Sequence, residues 1–224
     1  MPQCPEFRLE FQRRGVKLDE GHSDAGVTHN ALSYILGFVL GDGNISRTKF
    51  LVRLYDQNLQ FVKTVLKPEF TESFGVEPGI SFDKSNNSYV LHKRSEAVWN
   101  QLHDLGVPAG RKARIIVVPD TINSADVAEK AAFLSGVFDA EGSQTSFTEV
   151  DRHPRGYDYF EVKMYSPKFI DGLQKLLLDV SAEFQPRVYH YSYGSILRLN
   201  GKRQLELVCS RLNLMHPRFN PPAH

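Results

Sequence analysis

Cysteine is scarce: Cys4 and Cys209 are the only two in 224 residues. They form neither a disulfide framework nor a zinc-ligand spacing, so a reducing, cytoplasmic setting is expected. No apolar run approaches the roughly 18 residues of a membrane span, and Met1–Arg14 lacks the apolar core of a secretory leader. There is no glycine-rich phosphate loop of the usual form and no serine-nucleophile elbow, which removes the nucleotide-binding and Ser-His-Asp hydrolase readings. His22 and His29 have no partner at a metal-binding spacing. Nor is charge of either sign in excess. Against 26 Asp+Glu stand 27 Lys+Arg, whereas a nucleic-acid-binding domain is usually strongly basic.

What the chain does have is an internal repeat. Ile35-Leu36-Gly37-Phe38-Val39-Leu40-Gly41-Asp42-Gly43 aligns without a gap on Leu134-Ser135-Gly136-Val137-Phe138-Asp139-Ala140-Glu141-Gly142, 99 residues later. Each block has two small residues four apart, then a carboxylate, then a glycine. Each is followed by a strand-like run and an amphipathic helix. Phe50, Val52 and Leu54 alternate with Lys49, Arg53 and Tyr55; Phe160, Val162 and Met164 alternate with Tyr159, Glu161, Lys163 and Tyr165. The helix after the second run has Ser166 as N-cap and Pro167 at its first position. In the first half, Pro68 is expected to end or kink the corresponding helix. Two hairpins follow, turning at Ser85-Asn86-Asn87 and Ser192-Tyr193-Gly194. A final helix closes each half, the first capped by Ser95. The pattern is helix, two strands, helix, two strands, helix, stated twice. It divides the chain into an N-terminal extension (1–31), a first domain (32–106), a connector (107–124) and a second domain (125–224).

One copy of the block would read as a core helix with Gly43 as its left-handed cap. Two copies in register read differently. Small residues at i and i+4 let two helix backbones approach closely, and such a pairing would bring Asp42 and Glu141 out at one end. There they face the negative ends of both helix dipoles and each other. Packing gives no reason to place acids there twice. Divalent cations would remove the penalty, and carboxylates with hard metal ions are an apparatus for phosphodiester hydrolysis.

These two blocks resemble the paired LAGLIDADG motifs of monomeric homing endonucleases, archaeal intron-encoded members most of all. The second copy keeps Asp139, where the first has Leu40. Leu105-Gly106-Val107-Pro108 with Gly110, Lys112 and Pro119 resembles the connector of that family, and His216-Pro217-Arg218 its C-terminal segment. The resemblance implies an α+β fold of two pseudo-symmetric αββαββα domains, with saddle-shaped antiparallel sheets and the motif helices at their interface. It implies a monomer that cuts double-stranded DNA at a long asymmetric site, the insertion point of an intron, leaving 3′ overhangs. Asp42 and Glu141, helped by the carbonyls of Gly41 and Ala140, would hold Mg²⁺. Mn²⁺ would substitute, and Ca²⁺ would support binding without cleavage. A basic or amide side chain near each acid would position solvent: Lys163 in the second half, and Gln57 (preferred over Asp56) or Gln144 as the other. The rival reading is a non-catalytic nucleic-acid binder, such as an intron RNA maturase or a DNA-binding regulator.

DNA contacts are expected from period-two positions on the open sheet faces and from hairpin tips. Arg47, Lys49, Arg53, His92 and Arg94 fit in the first half; Arg152, Arg155, Lys163, Arg187 and Arg198 fit in the second. Charge is segregated accordingly. The strand-rich segments 44–55, 79–94, 143–165 and 186–199 sum to +6, so the rest of the chain carries −5 within the overall +1. Glu149, Asp151, Asp158 and Glu161 offset the arginines of the second-half hairpin.

Overall fold

The computed structural model describes residues 30–147 and 157–219. Helix α1 (Ala31–Asp42) starts at Asn30, whose side chain accepts from the Ser33 N–H. It runs into β1 (Gly43–Ile45) and β2 (Leu51–Asp56). A helical stretch follows as α2 (Leu59–Phe61), a π-helical turn (Val62–Leu66) and α3 (Lys67–Phe74). Strands β3 (Gly79–Asp83) and β4 (Ser88–Arg94) and helix α4 (Glu96–Asp104) complete the first half. The connector holds a short helix, α5 (Asp120–Asn123). The second half repeats the order: α6 (Val127–Glu141), β5 (Gly142–Phe147), β6 (Tyr157–Met164), α7 (Pro167–Val180), β7 (Arg187–Tyr191), β8 (Gly194–Asn200) and α8 (Lys202–Arg211).

Each half forms one four-stranded antiparallel sheet, in the orders β1-β2-β4-β3 and β5-β6-β8-β7. Gly43 pairs with Leu54 as Gly142 pairs with Val162, so the repeat extends to strand register. Val52, Leu54, Phe160 and Val162 point into a core that Phe38, Leu40, Phe138 and Val137 fill from the motif helices. The two expected hairpin turns join β3 to β4 and β7 to β8.

Helices α1 and α6 pack in parallel, through the small residues. A Cβ on Gly37 would strike the Phe133 carbonyl, one on Gly136 the Tyr34 carbonyl, and one on Gly41 would lie 2.6 Å from the Ala140 Cβ. The contact is reciprocal, as a pseudo-two-fold axis requires. At the opposite end Asn30 donates to Glu129, the N3 residue of the α6 capping box.

At three positions the structure changes or sharpens the sequence expectation. Gly43 is not left-handed; its backbone is extended (φ −115°), and glycine is needed because a Cβ would lie 2.5 Å from the Val39 Cα. Phe50 stays out of the core. It is 41% exposed with φ +46° and meets Trp99 edge-on, because the β1–β2 loop turns there before the strand begins. Pro68 does not end its helix, since the π-helical turn just before it widens the coil where the ring would collide.

Candidate active site

The parallel packing of α1 and α6 brings Asp42 and Glu141 together at the C-terminal ends of both helices. A Cβ on Gly41 would lie 3.1 Å from the Glu141 Cγ, a measure of how closely the ends approach. Asp42 opens to solvent on one side and Glu141 is half-buried. Loss of water around Glu141, followed by repulsion from Asp42, pushes its carboxyl up to about 7. Burial likewise raises Asp42, with Lys112 and Arg218 pulling it back. The carbonyls of Gly41 and Ala140 sit one residue before each acid. Two carboxylates and two carbonyls make an all-oxygen donor set, which suits a hard cation such as Mg²⁺. Among the described residues no group of three or more His, Cys, Asp or Glu side chains could hold a metal. An ion here would therefore draw its remaining ligands from water and from a bound substrate.

The sequence reading missed two cations. Lys112, from the connector, donates to the carbonyls of Val39 (2.8 Å), Leu40 (2.5 Å) and Gly41. Burial brings its ammonium down to about 8, against the pull of Glu141 and Asp42. Arg218 does the same for the second half, donating to the carbonyls of Asp139 and of Ala140 (2.8 Å). Both residues lie in segments whose family resemblance was visible, but nothing local in either segment reveals what it touches.

Asp139, which Leu40 replaces in the first copy, fastens the C-terminal segment. It accepts from the backbone N–H of Met215 (2.8 Å) and of His216 (3.1 Å) and from the Tyr34 hydroxyl (2.9 Å). Burial dominates those bonds and lifts its carboxyl to about 6. The His216 ring then reaches the other half, 3.2 Å from Asp56 and with its centroid 4.5 Å from that of Phe61. The connector crosses in the reverse direction: the Ser166 hydroxyl donates to the Ile116 carbonyl (2.6 Å), and Val118 packs on Gly172.

The auxiliary residues fall differently from expectation. Lys163 is exposed on the open face of its sheet, its amine 5.2 Å from the Tyr193 ring centroid. By register its first-half counterpart is Tyr55, since both follow the partner of the glycine after the acid. Gln57 lies beyond the end of β2, exposed, and Asp56 is occupied by His216. Gln144 pairs with buried Phe160, which puts it on the helix-side face. Beside Asp42, Tyr55, Asn86 and Ser88 line a cavity of about 280 Å³. The Ser88 hydroxyl is buried there without a hydrogen-bond partner.

The expected DNA-facing residues divide into free and engaged. Arg53 and His92 are cross-strand partners on the open face of the first sheet, with exposed Arg94 at its end. Exposed Lys49 lies in the β1–β2 loop; Arg47 beside it bonds the Ala109 carbonyl (3.2 Å). Arg187 is exposed at the start of β7. Arg198 makes a two-nitrogen salt bridge to Glu161 (3.0 and 2.6 Å) and lies against the rings of Tyr159 and Tyr189. Arg152 and Arg155 lie outside the described residues.

A Ser195–His190–Asp171 line also exists, at 2.9 and 3.2 Å. Ser195 is 1% exposed inside β8, so no substrate carbonyl reaches it.

No family model matches the chain. Among curated proteins it is 25% identical over 194 residues to ribonucleoside-diphosphate reductase NrdEB subunit alpha of Bacillus subtilis, covering 79% of this chain and 16% of that protein. It is 27% identical over 170 residues to the tRNA-splicing ligase RtcB of Methanopyrus kandleri, covering 68% and 17%. The chain thus spans about a sixth of the length of the curated relatives it matches. Among solved structures it superposes on mesophilic variants of the homing endonuclease I-DmoI (TM-score 0.58, 14% identity, 82% of this chain and 89% of that one). I-DmoI in complex with DNA and Ca matches at TM-score 0.56, with 15% identity over 82% and 89%. The N-terminal LAGLIDADG domain of DUF199/WhiA also matches at 0.56, with 13% identity over 84% and 83%. With two sheets of identical strand order set about one pair of closely packed motif helices, the chain has the LAGLIDADG fold.

Proposed function

We propose that this chain is a site-specific double-strand DNA endonuclease dependent on a divalent metal, working as a monomer at a long asymmetric target such as an intron insertion site and leaving 3′ overhangs. The observation that carries this reading is the retained acid pair: Asp42 and Glu141 meet at two negative helix ends, in a setting that raises both carboxyls. A protein that only bound nucleic acid would gain nothing from charge placed so unfavourably. Mg²⁺, for which Mn²⁺ would substitute, would supply the Lewis acidity and the activated water of the reaction. Asp42, Glu141 and the carbonyls of Gly41 and Ala140 would hold it. Lys163 on one side, and Tyr55 with Asn86 and Ser88 on the other, would orient solvent and phosphate. Arg53, His92, Arg94, Lys49 and Arg187 would contact the duplex, and the unlike open faces of the two sheets suit a target without symmetry.

The alternative is binding without cleavage, as by a DNA-binding regulator or an intron RNA maturase; the fold, shared with the WhiA domain as with I-DmoI, leaves it open. Cleavage of a target-site library in Mg²⁺, with Ca²⁺ as the binding-only control, separates the two. Asp42→Asn or Glu141→Gln should lower cutting by at least about a hundredfold while duplex binding in Ca²⁺ persists. Binding with no cutting in Mg²⁺ or Mn²⁺ would leave the non-catalytic reading.

A further inference from the structure

Each motif helix ends against a cation delivered by a segment that leaves the last helix of its own half. Lys112 follows α4, Arg218 follows α8, and the carbonyls they take include Gly41 and Ala140. Those are the main-chain ligands of the proposed metal sites, so this inference rests on the nuclease reading. The Lys112 ammonium donates to three helix-end carbonyls, and the Arg218 guanidinium donates to two at this site. Both cations lower the carboxyls of Asp42 and Glu141 through charge, yet the bonds they make here are to the backbone. A divalent ion arriving at the same oxygens meets a like charge already seated there.

We propose that Lys112 and Arg218 are place-holding cations. In the DNA-free protein they compensate the acid pair and occupy the carbonyl ligands, and they yield those ligands when a divalent ion binds. Metal loading is thereby tied to DNA, whose phosphates give both side chains new anionic partners. Local repulsion, more than a lack of ligands, keeps the DNA-free site weak for metal.

The test is direct binding of Mn²⁺ to DNA-free protein, followed by electron paramagnetic resonance, for the wild type, Lys112→Met and Arg218→Met. Each Met variant should bind Mn²⁺ about tenfold more tightly or better, and Arg218→Lys should stay near the wild type. A folded Met variant that binds Mn²⁺ no more tightly overturns the proposal. Should either variant fail to fold, acetic anhydride labelling of wild-type Lys112, read by peptide mass spectrometry, replaces it. Labelling must rise on saturation with Mn²⁺, and an unchanged yield overturns the proposal. A wild type that cuts DNA while its Met variants show unchanged affinity removes this inference alone. A wild type that neither binds a divalent ion nor cuts, even with DNA present, removes the nuclease reading with it.

Discussion

Glu141 is held where its own charge is disfavoured, and that has a measurable sign. The folded chain binds this proton more tightly than the unfolded chain, with the carboxyl near 7 against 4.5. Its contribution to stability is therefore fully present below about pH 4.5 and is lost as pH rises through about 7. Glu141→Gln removes the charge at nearly constant shape. In chelator at pH 8 the variant should be more stable than the wild type by about 1–2 kcal/mol, a figure discounted for partial exposure. That amounts to a rise in Tm of a few degrees, shrinking towards pH 5. Thermal melts of both proteins at the two pH values check it; equal melting at pH 8 contradicts it. Single residues also mark where the sequence was hard to read. Lys112 lies 73 residues from the Val39 carbonyl it serves, and Arg218 lies 78 from that of Ala140. A lysine among prolines and glycines, or an arginine after a proline, announces no such partner.

At the scale of the element, the α1–α6 pair was legible because its cause is local. Small residues four apart are a property of one helix, and finding them twice predicts the contact. The structure adds the reciprocity, with Gly37 under the Phe133 carbonyl and Gly136 under that of Tyr34. Backbone sits on both sides of each contact, so neither can yield as a side chain would. Gly136→Ala should lower unfolding free energy by about 2–4 kcal/mol. Gly75→Ala, at φ +63° with nothing within 4 Å of an added Cβ, should cost only about 1 kcal/mol. Urea denaturation of both variants gives the comparison, and equal losses would contradict close helix approach as the cause. The strand alternation was legible for the same reason. Phe50 was misread because its hydrophobicity fits the alternation while the turn before β2 takes it out. Pro68 was legible as a disturbance of its helix, but the form that disturbance takes, a π-helical turn, leaves no mark that a propensity argument detects.

The whole molecule divides its positive charge unequally between the two sheets. Arg53 stands free beside His92 on the first, while on the second Arg198 is already neutralised by Glu161. For binding to a random-sequence duplex in Ca²⁺, Arg53→Ala should reduce the salt slope of log K by about 1, and Arg198→Ala by clearly less. Binding isotherms at several salt concentrations decide it. The +1 total concealed this, because a sum over the chain ignores which face a charge occupies. The pseudo-symmetry also reaches the arms that bind the halves: the connector crosses to Ser166 and Gly172, and the C-terminal segment crosses back to Asp56 and Phe61. One half with its arm is thus self-complementary, the design of an isologous dimer in which two identical copies would exchange tails. Covalent fusion through the connector releases each copy from having to suit itself. Asp139 anchors the C-terminal arm through its side chain, whereas Leu40 meets the connector only through its backbone carbonyl, which accepts from Lys112; the two halves thus hold matching arms by different chemistry, and the two sheets are free to carry different side chains.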